Sequence, residues 1–293
     1  MKFGGAVAVV TGAGSGIGAA LARETVRRGA TAVAVVDIDK VAADATAEAL
    51  DASGVRANAY RCDVADVAAV EQVAATISDD LGTPTFVCAN AGVTPAGGPL
   101  LEAEHGDLTW ALEVNVVGVW ATISAFGRRL ADSRKSGWIL VTASEHSLGV
   151  PFPGGGFYTA SKHAVLALAD VLRLELPEQI GISAMTPGLV NTNIWRGPQL
   201  RPASHGGPSD GVPLVRKLIE SGIDPDVIAR LALDGVEKEE FLIATHAHAL
   251  RYATTRHAHI ERSFTELAST GLADTSYDAM ELAASFEPGT ASS

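Results

Sequence analysis

In the stretch GGGFYTASKHAV, residues 154–165, a tyrosine and a lysine stand four positions apart. On a helix that spacing puts Tyr158 and Lys162 on one face, about one turn from each other. One reading is an aromatic cap beside a solvated lysine. The other is a phenol whose acidity is set by a neighbouring ammonium, the chemistry of a general base. The pair alone does not choose between them.

A second stretch narrows the choice. VVTGAGSGIG sets Gly12, Gly16 and Gly18 between an apolar, β-branched run and a helical one. Glycines there let a pyrophosphate approach bare backbone at a helix N-terminus, where N–H groups and the macrodipole favour an anion. Asp37 closes the next apolar run about twenty residues on, as the dinucleotide fingerprint requires. A carboxylate at that place accepts both adenosine ribose hydroxyls and repels a 2′-phosphate. No Arg or Lys lies in the glycine loop, and Lys40 is the one cation soon after Asp37. NAD is expected over NADP.

These residues need elements to hold them. Seven short apolar runs (AVAVVTG, TAVAVVD, RANAYRCD, TFVCANAG, GWILVTAS, GISAMTPG and EFLIAT) alternate with helical stretches at 17–29, 40–52, 66–80, 105–133, 158–176 and 225–236. Alternation of this kind predicts an α/β, doubly wound Rossmann fold with a central parallel seven-stranded sheet flanked by helices. The whole chain, 1–293, is expected to be one such domain. Residues 196–213, crowded with Pro, Gly and Ser, lack periodicity and are expected to form a mobile loop within a substrate lid at about 193–222. A helical extension is expected at about 247–286, with a frayed tail at 287–293.

Composition supports a globular enzyme. Of 293 residues, 47% are hydrophobic and 19% charged, which permits a large core, and the formal charge of −12 disfavours nucleic acid or an anionic membrane as partner. Cys62 and Cys88 fall in apolar runs, as buried thiols of a reducing compartment do. No secretory signal is evident at the N-terminus, and a cytoplasmic location is expected.

TGAGSGIG, CDV at 62–64, NAG at 90–92, Asn115 in EVNVVG, YTASK at 158–162 and PGLVNT at 187–192 resemble, together and in order, the short-chain dehydrogenase/reductase family. The resemblance implies that Gly12, Ser15, Gly16, Ile17, Gly18 and Asp37 bind the cofactor and that Asp63 and Val64 hold its adenine. It places Asn90, Ala91 and Gly92 along the cofactor, and Pro187, Gly188, Val190 and Thr192 beside the nicotinamide. Asn115, Ser144, Tyr158 and Lys162 would be the catalytic four, with Lys162 also gripping the ribose. A local helix break at Asn115 would admit a water to the proton relay. Ser144 lies one residue further from Tyr158 than the family spacing, so an insertion in GVPFPGGG is expected, with Ser147 the less favoured candidate.

The implied reaction is oxidation of a secondary alcohol, with Tyr158 as base and Lys162 lowering its pKa. Ser144, Phe152, Phe157, Tyr158, Leu189 and Trp195 are the expected substrate contacts, with Leu200, Val212 and Leu214 near the lid and Arg196 and Arg201 at the rim. These walls suit a bulky, lipophilic alcohol or ketone. The C-terminal third is loosely similar in layout to members acting on bulky aryl or alicyclic alcohols, including lignin-derived aryl-ether Cα-dehydrogenases. A carbonyl or 3-oxoacyl reductase is the alternative, and a non-catalytic NAD(H)-binding regulator a distant one. Helices 105–133 and 158–176 are apolar around most of their circumference, which suggests a homodimer or homotetramer. The HAH repeats at His246/His248 and His257/His259 are read as surface or subunit-contact histidines and no metal is expected; His146 and His163 lie near the catalytic residues.

Overall fold

Each of the seven apolar runs is a strand: β1 (Val7–Thr11), β2 (Ala32–Asp37), β3 (Arg56–Arg61), β4 (Phe86–Ala89), β5 (Gly137–Thr142), β6 (Ile180–Thr186) and β7 (Leu242–Ala244). The computed structural model describes residues 1–270 together with Asp278, Ala279 and Leu282. All strand pairs are parallel, in the order β3-β2-β1-β4-β5-β6-β7. The helices are α1 (Gly16–Arg27), α2 (Lys40–Asp51), α3 (Val67–Leu81), α4 (His105–Leu112), α5 (Gly118–Asp132), α6 (Gly156–Glu175), α7 (Gly197–Leu200), α8 (Pro213–Glu220), α9 (Pro225–Glu237) and α10 (Ala249–Ser269). This is the expected doubly wound fold. Strand order reverses at β1, which places a crevice outside the carboxyl ends of β1 and β4.

Successive side chains of a strand point to opposite faces. Val9, Val87, Ile139 and Val141 therefore enter one core with Ile77 of α3, Phe126 of α5 and Val165 of α6. Val10, Cys88 and Leu140 enter the other with Leu21 of α1, Leu50 of α2 and Leu233 of α9. Side-chain caps fix two helix starts: Asp39 accepts from the Ala42 N–H and Asp66 from the Ala69 N–H. Between α4 and α5 the helix widens into a π turn over Glu113–Val117. The helical span His105–Asp132 is long and apolar enough to cross a bilayer, but 56% of its most apolar window is buried in the protein.

Met1–Ala249 form one compact unit and Leu250–Ser293 a second. The expected C-terminal helix starts at Ala249 and runs to Ser269. Beyond residue 270, the rest of that expectation and the frayed tail fall outside the described residues, apart from Asp278, Ala279 and Leu282.

Candidate active site

The turn from β1 into α1 passes through Gly12 and Gly16, whose φ angles of +67° and +55° are left-handed. A Cβ on Gly12 would stand 2.8 Å from the Ala91 Cα, and one on Gly16 would stand 3.0 Å from the Thr192 methyl carbon. The loops after β1, β4 and β6 thus close on one cleft. Ser15 occupies the N-cap of α1 without a side-chain capping bond, so the first N–H groups of the helix remain available to a ligand. At the end of β2, Asp37 Oδ2 accepts from the Gly14 N–H at 2.8 Å and Oδ1 from the Asp39 N–H at 3.0 Å. Each oxygen keeps a lone pair for a further donor.

Other expected cofactor residues surround this cradle. Asn90 donates to the Thr11 carbonyl at 3.0 Å and accepts from the Thr142 hydroxyl at 3.0 Å, tying the ends of β1 and β5 together. Asp63 accepts from the Ala65 N–H at 3.0 Å. Val64 is buried and packs on Gly118, and a Cβ on Gly92 would meet Asn115 Oδ1 at 3.2 Å and Lys162 Nζ at 3.3 Å. Ile17 packs against the second core and Val190 is buried within it, so Val190 offers the cleft its backbone rather than its side chain. A bare glycine loop at a helix N-terminus, with a carboxylate one strand away, fits a dinucleotide.

On the other wall, Ser144 follows β5 and stands beside the Tyr158 phenol; its Oγ accepts from the His146 N–H at 3.3 Å and donates to the Pro187 carbonyl at 3.4 Å. Lys162 Nζ lies 5.8 Å from the centre of the Tyr158 ring and donates to the Thr142 carbonyl at 2.8 Å. Ser147 turns away and donates to the Ser144 carbonyl. The loop between Ser144 and Tyr158 turns through two left-handed glycines, Gly149 and Gly154, which accommodate its length. Asn115 is fully buried in the π turn; its Oδ1 accepts from the Val93 N–H at 2.8 Å and its Nδ2 donates to the Val93 carbonyl and the Ser161 hydroxyl, both at 2.9 Å.

The electrostatics differ from the sequence expectation of a phenol made more acidic. Burial pushes the Tyr158 pKa up to about 12; the Ser144 hydroxyl opposes this and the Glu145 charge adds to it. Burial likewise pushes Lys162 down to about 8. The spacing of the pair gave its geometry, and desolvation acts on both members.

Residues 193–222, expected as a lid, carry several short helical elements. The span holds 3₁₀ turns at Ile194–Arg196 and Ala203–His205 along with α7 and α8. Arg201, expected at the rim, is only 4% exposed and pairs with Glu104 at 2.8 Å and Asp107 at 2.9 Å. Trp195 carries the guanidinium groups of Arg196 and Arg216 over its ring, at 5.1 and 4.4 Å. Phe152 and Leu189 are exposed and Phe157 is half-buried, while Leu200, Val212 and Leu214 are exposed. A pocket of about 280 Å³ lies between Gly97, Glu104, Asp107, Arg201 and Ser209.

The short chain dehydrogenase family matches this chain over residues 6–200. The chain belongs to that family. A short-chain dehydrogenase/reductase from Burkholderia phymatum, solved in complex with NAD, superposes with a TM-score of 0.85 at 31% identity, covering 90% of this chain and 96% of that one. The 1-deoxy-11-beta-hydroxypentalenate dehydrogenase of Streptomyces exfoliatus is 33% identical over 244 residues, 83% of each chain. Probable oxidoreductase EphD of Mycobacterium tuberculosis is 37% identical over 193 residues, which are 66% of this chain and 32% of EphD. The match thus spans about a third of EphD.

Sequence reading missed Ser161 in this short-chain dehydrogenase and named His146 near the catalytic residues without its contacts. Ser161, fully buried, donates to the Tyr158 carbonyl at 2.8 Å and links it to Asn115. His146 stands edge-on to Tyr158, ring centres 5.3 Å apart, and its Nδ1 lies 2.7 Å from the Thr159 hydroxyl. Burial, then the neighbouring His163, pushes His146 down to about 4, so it is neutral at physiological pH. His246 and His248 lie before α10, in the turn after β7, and His246 is buried rather than on the surface. Among the described residues, no group of three or more His, Cys, Asp or Glu could hold a metal ion.

Proposed function

We propose that this short-chain dehydrogenase reversibly oxidises a bulky, lipophilic secondary alcohol to the ketone, with NAD as its cofactor. One observation carries the reading: Ser144 and Lys162 stand beside the Tyr158 phenol, across a cleft from the glycine loop and Asp37. Asn115, Ser144, Tyr158 and Lys162 are the proposed catalytic set. Gly12, Ser15, Gly16, Ile17, Gly18, Asp37, Asp63, Val64, Asn90, Ala91, Gly92, Pro187, Gly188, Val190 and Thr192 would hold the cofactor. When bound, an oxidised nicotinamide supplies the hydride acceptor and a positive charge.

Tyr158 takes the hydroxyl proton, and Ser144 holds the substrate oxygen as charge develops on it. Bringing a phenol from about 12 to neutrality takes roughly 7 kcal/mol. One positive charge 4 Å away contributes about 4 kcal/mol at an effective dielectric near 20. One such charge does not suffice, so Lys162 and a second positive charge must act together. Lys162 would also hold the ribose from the same site.

Asp37, with no cation beside it in the glycine loop, supports NAD over NADP, as does the likeness to a protein solved with NAD. A relative named for a hydroxypentalenate supports a bulky alcohol. An apolar groove of about 420 Å³ on the outer faces of α5 and α6, lined by Trp120, Ile123, Leu168 and Val171, supports a homodimer or homotetramer. Residues 193–222 would form the lid, and two free buried thiols suit the cytoplasm. The test is a panel of secondary alcohols with NAD⁺, read at the NADH absorbance, on the wild type and Tyr158→Phe. The variant should bind NADH normally and lose ~10²–10⁴-fold in turnover. Retention of more than about a tenth of the rate would exclude Tyr158 as the base.

A further inference from the structure

Glu145, His246 and His248 stand outside the proposed catalytic and cofactor-binding residues. The Gly188 N–H donates to His246 Nδ1 at 3.0 Å, and His246 Nε2 lies 3.1 Å from the Leu189 carbonyl. Since Nδ1 accepts, the ring proton sits on Nε2 and is donated to Leu189. One imidazole therefore holds two successive residues of the segment after β6. Glu145 grips the same segment from the other side. Its N–H donates to the Pro187 carbonyl at 2.9 Å, and its carboxylate lies under Gly188, where a Cβ would come within 2.6 Å of Oε2 and 2.9 Å of His246 Cδ2. Gly188 is thus wedged between the two side chains, and any larger residue would push them apart.

Glu145 is also the residue next to Ser144 and only 6% exposed. Its Oε2 is 2.8 Å from His248 Nε2, but no donor is aligned on that oxygen, so the charge is only partly answered. The titratable and charged groups around the phenol are then Glu145 and His146 from the turn after β5, Lys162 and, behind His146, His163 from α6, and His246 and His248 from the turn after β7. Glu145 is the one anion among them.

We infer that Glu145 and His246 are positioning residues for the reaction: from opposite sides they seat the Pro187–Leu189 segment after β6. The inference rests on the reading of Tyr158 as the base. Held in that seat, the Glu145 charge also raises the Tyr158 pKa, so a pH profile reports on its place.

The test uses the full-length enzyme and two readouts, NADH affinity by fluorescence titration and the pH profile of kcat/KM, with melting temperature as the fold control. His246→Ala should weaken NADH binding about tenfold through the loss of two hydrogen bonds. His246→Gln, whose amide both accepts and donates, should recover most of it. If His246→Ala proves unstable, His246→Phe keeps the ring volume without either nitrogen and serves the same arm. Glu145→Gln keeps the shape and removes the charge; it should move the acid limb of kcat/KM down by about one pH unit, the low end for a nearby like charge. An unmoved limb in Glu145→Gln, or unchanged NADH affinity in both His246→Ala and His246→Phe, overturns the inference while leaving Tyr158 as base. Undiminished turnover in Tyr158→Phe would instead remove the reading beneath it.

Discussion

Asp37→Asn isolates the charge that separates the two nicotinamide cofactors. The side chain is half-buried, and its two oxygens each hold one backbone N–H, from Gly14 and Asp39. A phosphate about 4 Å from this carboxylate would be repelled by between 1 and 4 kcal/mol, depending on solvent screening; about 2 kcal/mol suits a half-exposed group. Loss of the charge also weakens bonds to the ribose hydroxyls by about 1 kcal/mol. Together these make the wild-type preference for NADH over NADPH at least ~10²-fold, and Asp37→Asn should erase most of it. Gly14→Ala attacks the same feature without touching the charge, since its Cβ would stand 2.9 Å from Asp37 Oδ2, and should erode the preference less. Fluorescence titration with both reduced cofactors needs no substrate. Helix α2 is capped by Asp39, not Asp37, so melting temperatures should stay near wild type. An unchanged cofactor ratio together with a lowered melting temperature would refute the argument and reduce Asp37 to a brace for the loop.

Lys162, held near about 8 rather than 10.5, binds fewer protons folded than unfolded between those values, so its burden of roughly 3 kcal/mol is present below pH 8 and lifts as pH rises to 10.5. Lys162→Met should therefore raise the melting temperature at pH 7 while abolishing turnover, and an unchanged or lower value would count against a buried ammonium; Tyr158 acts oppositely, its folded form losing stability between pH 10 and about 12. Arg201→Ala leaves Asp107 buried without its cation, at a cost of about 3 kcal/mol, and should speed proteolytic nicking within 196–213; equal cutting rates would show that Arg201 does not fasten that segment. Val171→Arg places a charge in the apolar groove on α5 and α6 and should yield monomers by light scattering, and an intact oligomer would exclude that face as the seam.

What was legible in the sequence had local causes. Glycine spacing after a strand, strand periodicity and the four-residue step from Tyr158 to Lys162 each depend on neighbours along the chain, and all took the expected form. Long-range causes were invisible. Arg201 is buried because Glu104 and Asp107, nearly a hundred residues earlier, meet it, and no periodic signal announces such a pairing. His246 lies in a non-helical turn, so a helical wheel could not show that its ring faces Gly188. The rise in the Tyr158 pKa comes first from burial and is increased by Glu145, neither of which the Tyr158–Lys162 spacing displays.

The π turn at Glu113–Val117 imposes a constraint of length rather than of residue type. A π turn absorbs one more residue than an α turn over nearly the same rotation, so α4 and α5 stay in register across it. Trp110 and Phe126, both buried on their respective helices, therefore both face the core. The widened turn also sets Asn115 against the Val93 backbone, to which it offers a donor and an acceptor as a neighbouring strand would. Substitutions along 113–117 that spare Asn115 should be absorbed, whereas deleting one residue would rewind the turn, leaving the core helices aligned but drawing Asn115 away from the site.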